Sequence, residues 1–306
     1  MTDAPEAHGL GPHVVGLRVV VRRIVRGETG PSGGPALTDL LGICRAWDTN
    51  TCTIEPETGP LVTIALADIV SGKPVPPRPS VRHRVSTREA EGHSFVMFPE
   101  IDREGLGDWV LRSDPAPAER LYKRANSCLA MGDPGMAFAE AEAHVLGFYA
   151  GRGRDTLVQV EADTDVETAF LQAGWSLLPG GEVELRLGSV AAVRRLRRGR
   201  GRGTASLEST GDRAVAVVAG PTGVVAEGRA AIDEDWLGLH ALHVVPAHRR
   251  EGLAGEIVDE LLDWGGERGA STVWLHVETD NAPARHLYDA LGLTTHHVAR
   301  YLTPPG

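Results

Sequence analysis

Aromatic side chains are scarce. Phe, Trp and Tyr make up 5% of the 306 residues, which leaves little surface for stacking nucleic-acid bases. Cysteine is scarcer still: Cys44, Cys52 and Cys128 form no CxxC pair, and an odd count argues against a disulfide framework. No HExxH or comparable His/Cys ligand spacing occurs, so no metal is expected. No GxxxxGK followed by Ser or Thr occurs either, which removes the common nucleoside-triphosphate loop. Apolar runs stay well short of the roughly 18 residues a membrane helix needs. The opening MTDAPEAHGLGPH lacks the basic-then-apolar layout of a secretion signal. These absences point to a soluble, cytoplasmic protein with no membrane partner.

What is present is a foldable chain, 42% apolar and 24% charged, with a net charge of −10. Six arginines between Arg194 and Arg202 oppose that charge, but an acidic body argues against general nucleic-acid binding. The 37 glycines and 20 prolines gather between segments and divide the chain into three parts. Residues 13–72 read as short strands, with Val15, Leu17, Val19 and Val21 alternating, a Gly/Pro loop from Gly27 to Pro35, then Leu41–Trp47, Thr51–Glu55 and Leu61–Ala65 joined by turns at Asp48-Thr49-Asn50 and Glu57-Thr58-Gly59. That is a small all-β barrel, whose role stays open between binding a polymer and assembly. KPVPPRP (Lys73 to Pro79) follows as a stiff linker.

Residues 81–187 carry a helix over Pro134–Gly151 with Phe138, Ala141, Val145 and Phe148 on one face, Asp133 placed to cap it and Pro134 to start it. A strand at Thr156–Glu161, a short helix at Val166–Ala173 and a strand at Glu182–Leu187 complete this part. The Arg/Gly stretch from Arg194 to Gly203 has no apolar face and reads as a linker. Residues 204–303 then give strands at Ala214–Ala219, Gly223–Ile232 and Leu237–Val245, a helix at Leu253–Arg268, a strand at Thr272–Thr279, a helix at Ala282–Leu291 and a strand at His296–Leu302. Leu253, Ile257, Leu261 and Trp264 form the apolar face of the long helix, and Glu256, Asp259, Glu260, Asp263 and Glu267 its polar face. The class is α/β (α+β) with a mixed sheet.

The two parts repeat. Val158-Gln-Val-Glu-Ala-Asp163 lines up with Leu275-His-Val-Glu-Thr-Asp280 at an offset of 117, Phe170 falls opposite Leu287, and Gly174-Trp175 opposite Gly292-Leu293 after one deletion. Thr164 then stands opposite Asn281, and Leu171 opposite Tyr288.

Chemistry concentrates at the end of the third C-terminal strand, in Leu242-His-Val-Val-Pro-Ala-His-Arg249-Arg250-Glu251-Gly252-Leu253-Ala254-Gly255. Unpaired amides at a helix start, the helix dipole and a glycine that admits close approach make an anion cradle. This stretch resembles the Gln/Arg-x-x-Gly-x-Gly/Ala signature of the GCN5-related N-acetyltransferases (GNAT). Arg198-Gly-Arg-Gly201-Arg-Gly203 matches the same pattern without a strand before it or a helix after it, so context selects Arg249. A second segment, Asn281-Ala-Pro-Ala284-Arg-His-Leu287-Tyr288-Asp-Ala-Leu291-Gly292-Leu293, resembles the family's Asn-x-x-Ala-x-x-Leu-Tyr-x-x-x-Gly-Phe, with Leu293 in place of the aromatic.

The resemblance covers residues 212–303 and implies acetyl-coenzyme A as co-substrate. Leu242, His243 and Val244 would present backbone groups to the pantetheine arm and acetyl carbonyl, and Arg249 or Arg250 can add charge at the rim. The amides from Arg250 through Glu251, Gly252, Leu253 and Ala254 to Gly255 would bind the pyrophosphate, Asn281 the arm, and Tyr288 would protonate the leaving thiolate. The side chain of Glu251, set among phosphates, is expected to face solvent. The whole chain is similar to actinobacterial acetyltransferases with an N-terminal Src-homology-3-type barrel and a degenerate first acetyltransferase copy, here residues 81–187.

His276 stands where related protein N-terminal acetyltransferases often carry Glu. It reads either as a base, since imidazole titrates near neutrality, or as a satisfied strand histidine; Glu278 is the second candidate base. His296 and His297 read as a solvated strand end. Two functions follow: transfer of acetyl to a primary amine, small or peptidic, in a ternary complex, or coenzyme sensing without turnover, with the barrel and arginine stretch contacting a partner. A homodimer stays open.

Overall fold

The structure, a computed structural model, describes residues 9–30, 33–56, 59–75, 81–116, 122–199, 201, 203–221 and 223–306. The expected linker at residues 76–79, Arg200, Arg202 and parts of the 27–35 and 57–59 turns lie outside them. The chain divides into two compact units, Met1–Pro79 and Ser80–Gly306.

In the first unit β1 (Arg18–Thr29), β2 (Pro35–Trp47), β3 (Thr51–Pro56), β4 (Val62–Ala65) and β5 (Ile69–Pro74) form one antiparallel sheet in the order β4-β3-β2-β1-β5. Alternation decides which face closes inward: Val19, Val21, Cys44, Cys52, Ile54, Ile64 and Ile69, drawn from all five strands, meet in one core. The turn at Asp48 is locked by its own carboxylate, whose Oδ1 accepts the Asn50 and Thr51 amides at 2.9 Å.

The second unit runs α1 (Thr87–Gly92), β6 (Asp102–Leu106), β7 (Trp109–Ser113), β8 (Cys128–Leu129), α2 (Phe138–Ala150), β9 (Val158–Glu161), α3 (Asp165–Gln172), β10 (Ser176–Ser189), α4 (Val190–Arg197), β11 (Ser206–Thr210), β12 (Arg213–Gly220), β13 (Gly223–Asp233), β14 (Trp236–Val244), α5 (Leu253–Glu267), β15 (Thr272–Glu278), α6 (Ala282–Ala290) and β16 (Thr294–Thr303). Residues 81–187 and 204–303 share a single 11-stranded sheet in the order β11-β12-β13-β14-β15-β10-β16-β9-β8-β7-β6. The repeat seen in the sequence is therefore topological. β6-β7-β8-α2-β9-α3-β10 and β12-β13-β14-α5-β15-α6-β16 follow the same path, each with one parallel pair, β8 with β9 and β14 with β15.

The two halves exchange their last strands. β10 pairs with β15 of the second half, from Val183↔Glu278 to Ser189↔Thr272, and β16 pairs with β9 of the first, from Ala299↔Glu161 to Leu302↔Val158. Each exchanged strand carries an arginine bonded to a helix of the half it enters. Arg186 on β10 reaches Asp289 on α6 at 2.6 Å, and Arg300 on β16 reaches Glu167 on α3 at 3.1 Å and Glu182 at 2.8 Å.

Two expected elements change. The helix expected from Pro134 begins at Phe138 with Ala137 as its cap. Asp133 instead closes a turn by accepting the Gly135 amide at 2.8 Å, with Gly132 and Gly135 both at positive φ. The Arg194–Gly203 linker is half helix: Ser189 caps α4 by accepting the Ala192 amide. Arg194 Nε donates to Asp263 at 2.7 Å, and Arg197 forks onto Asp259 at 2.7 Å twice. The polar face of α5 thus supplies the partners of these arginines.

Candidate active site

β14 and β15 run parallel from Trp236↔Thr272 to Leu239↔Leu275 and pair no further, although β14 continues to Val244 and β15 to Glu278. A bulge starts the divergence. On β13, Glu227 and Arg229 are two residues apart, while their partners on β14, His243 and His240, are three apart; Ala241 takes φ +52. A cavity of about 1110 Å³ opens where the strands separate. Leu242, His243, Val244, Arg249, Arg250, Gly252, Leu253, Ala254, Gly255, His276, Glu278, Asn281 and Tyr288 all line it. Glu251 does not; it lies half exposed, 3.4 Å from His248.

The turn into α5 is left-handed twice, at Arg250 (φ +71) and Gly252 (φ +85). A non-glycine residue in that region costs roughly 1–2 kcal/mol, so Arg250 carries strain at the mouth of the cavity. The first intrahelical bonds run from the Gly255 and Glu256 amides to the Gly252 carbonyl at 2.9 and 3.3 Å, which leaves the amides before them without helical partners. Gly255 is small for a local reason: a Cβ there would lie 2.4 Å from the Arg197 guanidinium, which also lines the cavity. The supposed linker thus supplies a cation to the cradle.

Asn281 caps α6, its Oδ1 accepting the Ala284 amide at 3.2 Å, as Thr164 caps α3 by accepting the Glu167 amide at 3.3 Å. Seven residues on, Tyr288 is 7% exposed, and burial pushes its phenol up to about 12. No group among the described residues hydrogen-bonds its hydroxyl. In the first half Leu171 stands in the corresponding place, exposed, and α2 begins without a left-handed glycine.

His276 lies in the cavity wall with Nε2 2.7 Å from Glu91 Oε1, and His297 Nε2 reaches the same oxygen at 3.2 Å. His297 is therefore a buried ligand of a carboxylate and not a solvated strand end. Glu91 is fully buried. Burial opposes its ionisation, but the two imidazoles outweigh it and hold its carboxyl well below the usual range. A carboxylate only accepts, so His276 donates through Nε2 and keeps its lone pair on Nδ1. Glu278, half exposed, lies 3.3 Å from Lys123 Nζ.

Sequence reading missed Glu91, Lys123, Arg124, Arg197, Arg229 and His240, because each comes from a segment whose own pattern carries no motif. Burial, with Arg124 and Arg229 adding, drives His240 down to about 3, and burial drives His276 down to about 4. Both are neutral when folded and titrate near 6.5 when unfolded, so the unfolded chain binds more protons as pH falls. Stability is full above about 6.5 and declines on acidification by roughly 1.4 kcal/mol per pH unit for each imidazole. Calorimetric scans at pH 7, 6 and 5 should give a midpoint that falls by several degrees; a flat midpoint would mean that neither ring is held neutral by the fold.

The family model described as "Probable histone acetyltransferase Rv0428c C-terminal" matches residues 188–302. The ribosomal-protein-bS18-alanine N-acetyltransferase of Escherichia coli is 35% identical over 70 residues, 23% of this chain and 47% of that protein. Streptothricin acetyltransferase of Streptomyces lavendulae is 38% identical over 56 residues, 18% of this chain and 30% of that protein. The chain thus spans about half or less of the curated relatives it matches. Among solved structures, a GCN5-related N-acetyltransferase from Kribbella flavida superimposes with a TM-score of 0.57 at 14% identity, over 73% of this chain and 97% of that one. Residues 188–302 are thus similar to acetyltransferases, and the fold is that of a GCN5-related N-acetyltransferase (GNAT). In GNAT terms, the splayed strand pair, the cradle and the Asn281/Tyr288 helix all lie in the half that the family model matches. Among the described residues no helix is long and apolar enough to cross a membrane.

Proposed function

We propose that the cavity between β14 and β15 binds acetyl-coenzyme A and transfers its acetyl group to a primary amine. One observation carries this reading: the divergence of the two strands gathers the cradle, Asn281 and Tyr288 around a single cavity. The pyrophosphate would rest on the amides preceding Gly255, with Arg249, Arg250 and Arg197 around it. The pantetheine arm would run along Leu242–Val244, taking the place that β15 gives up as a pairing partner.

In the reaction the ammonium first loses a proton to the cavity's water, with Glu278 and the Nδ1 of His276 in the wall to receive it. The neutral nitrogen attacks the thioester carbonyl, a C–N bond forms and the C–S bond breaks. The Tyr288 hydroxyl passes its proton to the departing sulfur, and the phenolate recovers one from the newly acylated nitrogen. One proton leaves per turnover.

Titration calorimetry with acetyl-coenzyme A is expected to give one site per chain. Gly252→Glu puts a side chain on left-handed backbone and a carboxylate at the phosphate site, and should weaken binding by about 100-fold or more, some 2.7 kcal/mol. Two sites per chain would make the first half a working copy, and unaltered affinity in Gly252→Glu would remove the cradle. Tight binding with no transfer to any amine would favour coenzyme sensing.

A further inference from the structure

The charges around the inner end of this cavity do not cancel. Lys123, Arg124, Arg229 and His240 line it, and Glu278 is the acidic side chain in the same wall. Lys123 answers Glu278 at 3.3 Å and lies over the Tyr301 ring at 5.3 Å. Glu91 answers two imidazoles. Arg124 has no such partner: its Nε is buried without an acceptor, and no carboxylate among the described residues pairs with it. Arg124 as a whole is half-buried, and a cation that lines a cavity with no anion of its own suits an anion brought from outside.

Arg124 acts electrostatically on His240, His276 and Tyr301, on β14, β15 and β16. His240 sits just before the bulge at Ala241, at the level where the thioester would lie. Phe98 packs beside His240, 6.0 Å from it and 5.9 Å from Tyr122 between ring centres.

We propose that the acceptor is an amine carrying its own anionic group, a carboxylate or a phosphate, which Arg124 binds while the amine faces the thioester. The proposal rests on the reading of this cavity as an acetyl-transfer site. It favours a small anionic amine over a lysine-rich peptide, whose charge Lys123, Arg124 and Arg229 would repel.

The test uses the full chain with saturating acetyl-coenzyme A and matched acceptors: glycine against methylamine, O-phosphoethanolamine against ethanolamine, and a lysine-rich peptide. The anionic member of one pair should have a kcat/KM at least about tenfold higher than its neutral counterpart, and the pair that shows it tells carboxylate from phosphate. Arg124→Gln should bring that ratio close to one while acetyl-coenzyme A affinity holds, and Arg124→Lys should keep part of it. Preference for the neutral amines or the peptide, or an equal loss on both members of a pair in Arg124→Gln, overturns the proposal. If coenzyme binds but no amine is acetylated, the transfer reading fails by itself. Calorimetry of the same pairs with the coenzyme A-loaded protein then decides: tighter binding of the anionic member supports the proposal, and equal binding overturns it.

Discussion

Tyr288→Phe is expected to lower kcat by roughly 10²–10⁴-fold, the usual range for a lost general acid, while leaving acetyl-coenzyme A affinity almost unchanged. The ring packs in the core cluster with Leu253, Leu291 and Leu293, and phenylalanine keeps those contacts. The hydroxyl has no protein partner among the described residues, so its removal orphans nothing and the fold should survive. A phenol pushed up to about 12 is protonated at every working pH. Its match to the leaving group holds because the environment that raises the phenol also disfavours a free thiolate, so both anions are destabilised together. Single-turnover rates with a good acceptor, beside calorimetric affinities, check this. An unchanged rate would assign the proton to water and leave Tyr288 as a packing residue.

The cradle side of the candidate site was legible in the sequence because its signals are local. A left-handed Gly252, an Asn281 cap and Tyr288 two turns later are each fixed by a few neighbouring residues, and thirteen of the fourteen named candidates line the cavity. Glu251 was the exception, and a side chain beside phosphates was already expected to turn outward. The opposite wall of the cavity was not legible. Lys123 and Arg124 come from a short turn with no periodic pattern, and Glu91 from the last turns of α1, 185 residues before the histidine it contacts. The exchange of β10 and β16 was hidden for a related reason: the repeat prescribes a strand after each helix but not which neighbour that strand selects. Arg194 and Arg197 were misread because their partners, Asp263 and Asp259, lie more than 60 residues away. A helix whose apolar face is short gains its stability from such pairs, which periodicity does not register.

Glu91 is where the largest loss of stability is expected. Its Oε1 receives two imidazole N–H groups, one from His276 on β15 and one from His297 on β16, so a single carboxylate from α1 joins strands that belong to the exchanged centre of the sheet. Glu91→Ala leaves both rings without an acceptor and a void in a fully buried position, a change of about 3–5 kcal/mol for breaking a buried pair. For a unit of this size that corresponds to a midpoint about 6–20 °C lower. Glu91→Gln separates charge from shape. Its amide oxygen still accepts one N–H, so less than half of that loss is expected. The amide's own N–H donors face the imidazoles, however, and permit His276 to turn its lone pair from Nδ1 to Nε2. The conservative variant should therefore stay folded and move the pH dependence of kcat/KM, while Glu91→Ala unfolds early. If both variants melt with the wild type, the carboxylate bears no part of the junction. If Glu91→Gln keeps the wild-type pH profile, His276 takes no part in removing the amine's proton, and Glu278 is left to receive it.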